Sequence, residues 1–164
     1  MFKENSLIKQ SIFFGHFFLL MVRFLNENIG EIMKLKIGDC LMSIESIIEK
    51  TNKMNEYLSR TDAIFEETKQ SGVEGDFYQT VKPFVDEVHL FLDEWEKEVT
   101  DWVRSERPKN IFIPNILAAK ENFKEIVVQA FYPKTSYKRF KEHVHSIHYI
   151  LEKVLFEVNK NTKK

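Results

Sequence analysis

The chain is poor in the residues that build turns and crosslinks: five glycines, four prolines and one cysteine in 164 residues. So little glycine and proline leaves few tight turns for a sheet protein, which points to helices. The lone Cys40 cannot close an intramolecular disulfide and fits a reducing cytoplasm, where its plainest role is that of a small buried hydrophobe. An excess of positive charge is also missing. Lys and Arg number 24 against 25 Asp and Glu, a net charge of −1, so the basic surplus that gives nucleic-acid binders most of their affinity is absent. The apolar run from Ile12 to Leu25 falls short of the roughly 20 residues a membrane-crossing helix needs, and it contains Arg23. No phosphate-cradling loop is present, because Gly72-Val73-Glu74-Gly75 lacks the Lys-Ser/Thr that a P-loop requires. What is present is a large apolar complement, 43% hydrophobic and 13% aromatic, enough for one domain to bury a core without metals or staples.

Residues 1–32 read as an N-terminal extension. Its apolar run, with Lys3 and Lys9 before it, is similar to a signal-peptide core, yet no small-x-small cleavage site comes after it. Gly30-Glu31-Ile32 must be encoded by a purine-rich string directly before Met33, which resembles a ribosome-binding site. The extension is therefore expected either to be untranslated, with Met33 as the native start, or to be a disordered apolar stretch.

From Met33 onward the apolar residues recur at spacings of three, four and seven, the period of a helix. The first helix begins after an Asp39 cap, carries Ile44, Ile47, Ile48, Met54, Leu58 and Phe65 on one stripe, and stops near Ser71-Gly72. Asp76 caps the second, whose wide aromatic stripe is Phe77, Val81, Phe84, Val85, Val88, Leu92, Trp95, Val99 and Trp102. Pro83 predicts a start nearer that residue or a kink. The third begins at Pro114, carries Ile116, Leu117, Phe123, Ile126, Val127 and Ala130, and ends at Tyr132 because Pro133 comes next. Thr135 or Ser136 caps the fourth, with Tyr137, Phe140, Val144, Ile147, Leu151, Val154 and Val158 inward. Four amphipathic helices joined by short connections predict an all-α fold, an antiparallel up-down four-helix bundle over residues 33–164. Ile111, Phe112 and Ile113 are expected to fold over one end of its core. That topology gathers Arg104, Arg107, Lys109, Lys160, Lys163 and Lys164 at one pole.

Candidate chemistry is thin. Glu142-x-x-His145 and Asp86-x-x-His89 have the spacing of di-iron bundle sites, but each carboxylate lies about 200° from the apolar residue two positions before it, at about 100° per residue. Both should face outward. His143 and His145 diverge by about 200° as well and cannot share an ion; His145 and His148, three apart, lack a third ligand. Cys40 has no catalytic signature around it. The acidic run of the second helix (Asp86, Glu87, Asp93, Glu94, Glu96, Glu98 and Asp101) reads as a solvated face or as a dock for a basic partner.

Between Glu106 and Leu151 lies a more specific pattern: Glu106-Arg107-Pro108-Lys109, then Asn122-Phe123 and Gln129, then Lys138-Arg139-Phe140, closing with Ser146-x-x-Tyr149-x-Leu151. It resembles the YppE-like family, small all-helical proteins of low-GC Gram-positive bacteria. The resemblance implies a fold and supplies no chemistry. Pro108, Phe123 and Phe140 have structural readings as helix stop and core; Arg107 and Arg139 have none so ready.

No catalytic, cofactor-binding or metal-binding residue is assigned, and no cofactor or nucleic-acid partner is expected. The remaining reading is a cytoplasmic, non-enzymatic protein–protein interaction module or regulator, a monomer or weak homodimer. Its candidate surface is Trp95, Trp102, Arg104, Arg107, Lys109 and Arg139. Two alternatives stand beside it: a ligand- or metal-binding protein or enzyme with its site in the bundle core, and a peripheral membrane protein held through residues 12–25.

Overall fold

Residues 44–161 are described by a computed structural model. Outside them lie the segment Ile12–Leu25, the start at Met33, the Asp39 cap, Cys40, Lys163 and Lys164.

Helix α1 runs over residues 44–71. Ile44, Ile47, Met54, Leu58 and Phe65 bury its apolar stripe. The buried threonines on the same face satisfy themselves: Thr51 Oγ1 donates to the Ile47 carbonyl at 2.6 Å and Thr61 Oγ1 to that of Tyr57 at 2.7 Å. The helix ends where Gly72 turns left-handed, φ +66°, with its N–H on the Thr68 carbonyl at 3.0 Å.

Asp76 does cap the next element, its carboxylate accepting the Gln79 N–H at 2.7 Å. That element is a π-helical turn, Phe77–Val81, in which the Val81 N–H reaches the Asp76 carbonyl at 2.9 Å, five residues back. Helix α2, Lys82–Glu106, then begins with Pro83 in its first turn, where a missing N–H costs nothing. The wide turn shifts the register, so Phe77 leaves the predicted stripe and is 52% exposed. Val81, Phe84, Val88, Leu92, Trp95, Val99 and Trp102 remain buried.

Helix α3 spans Ile113–Gln129 with Pro114 in its first turn. It ends three residues before Tyr132 because the chain tightens there: the Phe131 and Tyr132 N–H groups bond to the carbonyls of Val128 and Gln129, each three residues back. Leu117, expected inside, is exposed beside the buried line Ile116, Ala119, Phe123, Ile126. Helix α4, Tyr137–Asn161, starts after Ser136, whose carbonyl accepts the Phe140 N–H at 3.0 Å. Thr135 instead donates its hydroxyl back to the Gln129 carbonyl. Tyr137, also expected inside, sits half-exposed at the helix start, its ring 5.7 Å from that of Phe65.

Side-chain pairs fix the directions. Trp95 Nε1 donates to Thr51 Oγ1 at 3.0 Å and Tyr57 to Glu87 at 2.7 Å, so positions rise on α1 as they fall on α2. Lys120 with Glu96 and Lys124 with Asp93 show the same for α2 and α3. Lys141 with Asp62, Tyr137 with Glu66, and the Phe65–Phe140 stack at 3.7 Å join α4 to α1. Each helix is antiparallel to its neighbour in an up-down-up-down bundle. Of the three residues expected to close one end, Ile111 is buried and Ile113 half-buried, while Phe112 points out at 60% exposure.

Candidate functional site

The acidic run of α2 is largely committed to its neighbours. Lys50 of α1 holds Glu98 at 2.6 Å and Glu94 at 3.3 Å, and Lys120 of α3 holds Asp93 and Glu96. Hydrogen bonds from Lys124 and Lys120 keep the Asp93 carboxyl below the ordinary carboxylate range. Tyr57 is pushed up to about 12 by burial and by its bond to Glu87. These residues clamp helices together and do not form the free acidic face that the composition suggested.

The two tryptophans also leave the candidate surface. Trp95 is 1% exposed and Trp102 4%, both inside the core. Trp95 is fixed by Thr51 at a depth set by α1, a partner 44 residues away in sequence. The Trp102 indole N–H has no hydrogen-bond partner among the described residues. Arg139 is drawn to α3, with Glu125 at 3.1 Å, and Glu125 also accepts from Gln129. It therefore lies near the end of α3, roughly 18 Å from that helix's start at 1.5 Å per residue.

Arg107 and Lys109 do come together. Val103, at the end of α2, accepts the Arg107 N–H at 3.1 Å, and Arg107 adopts the left-handed conformation, φ +48°, that ends the helix. Pro108 is the next residue. Asn110 then donates to Glu157 of α4 at 2.6 Å; that carboxylate is 4% exposed, so the loop is tied down by a buried bond. Between the loop and the start of α3 opens a groove of about 460 Å³, with Val103, Pro108, Ile111, Phe112, Ile113 and Pro114 as its apolar lining and Arg107 and Lys109 as its only charged residues among those described. Neither cation has a carboxylate partner among the described residues. Arg104, one turn earlier, pairs with Asp101 at 3.0 Å.

A second groove, of about 470 Å³, lies at the other end between α1, the 72–76 loop and Phe131. Arg60 stacks over Phe84 at 4.6 Å, and Glu67 and Glu74 share the lining, so its charge is mixed. Exposed Val73 lines it on the loop. Sequence reasoning missed this groove, although Pro83 a few residues after the Asp76 cap signalled irregular backbone. It also missed Glu157, whose place about 60° from Val154 on the helix wheel put a carboxylate beside the buried stripe.

The carboxylates of the metal-spaced pairs face outward, while His89 is half-buried against α3. Asp86 pairs with Lys82, Glu142 lies 3.9 Å from Lys138, and His89 Nε2 is 3.4 Å from the Lys124 carbonyl. His145 and His148 are exposed, and His148 lies 4.0 Å from Glu152. Among the described residues no three His, Cys, Asp or Glu side chains gather around one point, and no helix is long and apolar enough to cross a membrane.

Residues 51–158, which include the whole basic groove, match a bacterial domain of unknown function, DUF1798. The uncharacterized protein YppE of Bacillus subtilis is 31% identical over 117 residues, covering 71% of this chain and 95% of its own. The YppE crystal structure covers 73% of this chain and 98% of its own with a TM-score of 0.70 at 29% identity. A protein of unknown function from Listeria innocua, at 24% identity, shares the fold with a TM-score of 0.71 over 75% of this chain and 98% of its own. Bundle, motif and match agree, and the chain belongs to the YppE-like DUF1798 family of bacterial helical proteins.

Proposed function

We propose that this chain is a non-enzymatic protein-binding module of the cytoplasm, docking its partner at the end of the bundle formed by residues 107–112 and the start of α3. One observation carries the reading: two cations without carboxylate partners among the described residues, Arg107 and Lys109, rim an apolar groove that displays Phe112. Arginine and aromatic side chains are enriched where proteins bind one another. The loop holds its shape before any partner arrives, through the left-handed turn at Arg107 and the Asn110–Glu157 bond, which lowers the ordering cost of binding. The module acts as a monomer, since Val81, Phe84, Val88, Leu92, Trp95, Val99 and Trp102 of the wide α2 stripe are buried within the bundle and are not offered to a second copy.

The test is crosslinked capture from native cells, with a C-terminal tag on a long flexible linker. It compares the wild type with Arg107→Glu/Lys109→Glu and with Arg139→Glu at the other end. A stoichiometric partner kept by Arg139→Glu and lost by the double variant is the expected result. A partner that the double variant retains, or an empty wild-type bait, would sink the reading.

A further inference from the structure

The groove's chemistry narrows the partner. We propose that it receives an acidic peptide segment carrying one apolar side chain, an inference that rests on the docking surface proposed above. Among the described residues, both charged groups of the lining are cations and no carboxylate lines it. A partner's carboxylates would meet an Arg107 guanidinium with an unused planar fork and, two residues on, the Lys109 ammonium. The floor between them is apolar, and Phe112, 60% exposed, offers a ring face to a single aliphatic or aromatic side chain. A volume of about 460 Å³ lies within the range of natural ligand clefts, roughly 300–1,000 Å³.

The second groove shows what makes this one selective. There, Glu67 and Glu74 outnumber Arg60 among the described lining residues, so an acidic segment gains nothing from that groove. Two other polyanions fit the basic groove less well. Nucleic acid draws its affinity from many phosphate contacts along a basic track, and a lipid surface from clusters of about 4–8 cations. This groove presents two cations and a wall of proline, isoleucine and phenylalanine.

Fluorescence anisotropy on the full chain tests the proposal with four probes: a labelled acidic peptide with one central Phe, its lysine-for-glutamate counterpart, its counterpart with Ala in place of Phe, and a single-stranded oligonucleotide. Vesicles containing anionic lipid form a fifth arm, by co-sedimentation. The acidic Phe peptide should bind about tenfold tighter than either peptide counterpart, and added salt should weaken it. Arg107→Glu and Phe112→Ala should each weaken it about tenfold, whereas Arg139→Glu should leave it unchanged. Phe112→Ala guards against misfolding as an explanation, because the side chain is exposed and circular dichroism should not change. Equal binding of the lysine peptide, tighter binding of the oligonucleotide or vesicles, or indifference to Arg107→Glu would overturn the proposal. If no peptide binds but the captured native partner is still lost from the double variant, the partner chemistry falls and the docking surface stands. If the acidic peptide binds but the native partner ignores the double variant, the docking reading falls instead.

Discussion

Two threonines on one helix offer a matched pair of perturbations. Thr51 and Thr61 are both fully buried on α1, and each donates its hydroxyl to the carbonyl four residues back. Only Thr51 also accepts the Trp95 indole N–H, at 3.0 Å. Valine preserves shape and β-branching, so Thr61→Val removes a back-bond the helix does not need and should be close to neutral. Thr51→Val leaves the buried Trp95 N–H without an acceptor, a cost of about 1–3 kcal/mol. For a chain of this size that corresponds to roughly 2–12 °C in Tm. Urea denaturation followed by circular dichroism measures both variants. A second pair in the Trp95→Phe background completes the cycle: with no indole N–H to orphan, Thr51→Val should become as mild as Thr61→Val. Equal costs for the two valine variants, or a Thr51→Val cost that persists in the Trp95→Phe background, would refute the reasoning.

Three further outcomes are expected from the geometry. Gly75→Ala would place a Cβ 2.8 Å from Phe131 Cδ1 and 3.1 Å from Val81 Cγ2, both on buried residues, and should destabilise by about 1–3 kcal/mol in the same denaturation assay; an unchanged midpoint would contradict the close approach. Arg107→Gly relieves a left-handed non-glycine residue and should raise stability by up to about 1 kcal/mol while weakening acidic-peptide binding; a loss of stability would show that the Arg107 side chain supports the fold. Tyr57 ionises more readily unfolded, near 10, than folded, at about 12, so its contribution is complete below pH 10 and disappears as pH rises towards 12; Tyr57→Phe should lose the last phenolate to titrate and part of the alkaline fall in stability, seen by ultraviolet titration and urea midpoints.

The helices were legible because burial on a helix imposes its own period, and Ile47, Val88, Phe123 and Leu151 all fell on the inward line. What depends on register between helices was not legible. Lys50 finds Glu98 across 48 residues and Lys120 finds Glu96 across 24, so charges that read as a loose acidic face act as clamps. The tryptophans lie on the apolar stripe where helical spacing put them, so the core reading holds for both and the surface reading does not; the Thr51 hydroxyl that meets Trp95 from the opposite helix was not visible in local pattern. Pro83 announced irregularity, but its form, a five-residue π turn that turns Phe77 outward, came from combining the Asp76 cap with the missing proline N–H. At the basic groove the cations were visible in Arg107-Pro108-Lys109. The left-handed turn at an arginine and the buried Asn110–Glu157 bond, which make those cations a site, were not.

Hydrogen-exchange footprinting of the native complex, purified with its captured partner, asks most directly where this protein binds. Protection concentrated on the amides of residues 103–114 is the expected result. Protection centred instead on the groove of Arg60 and Phe131, or on the outer face of α4 with exposed Tyr149 and Phe156, would contradict it.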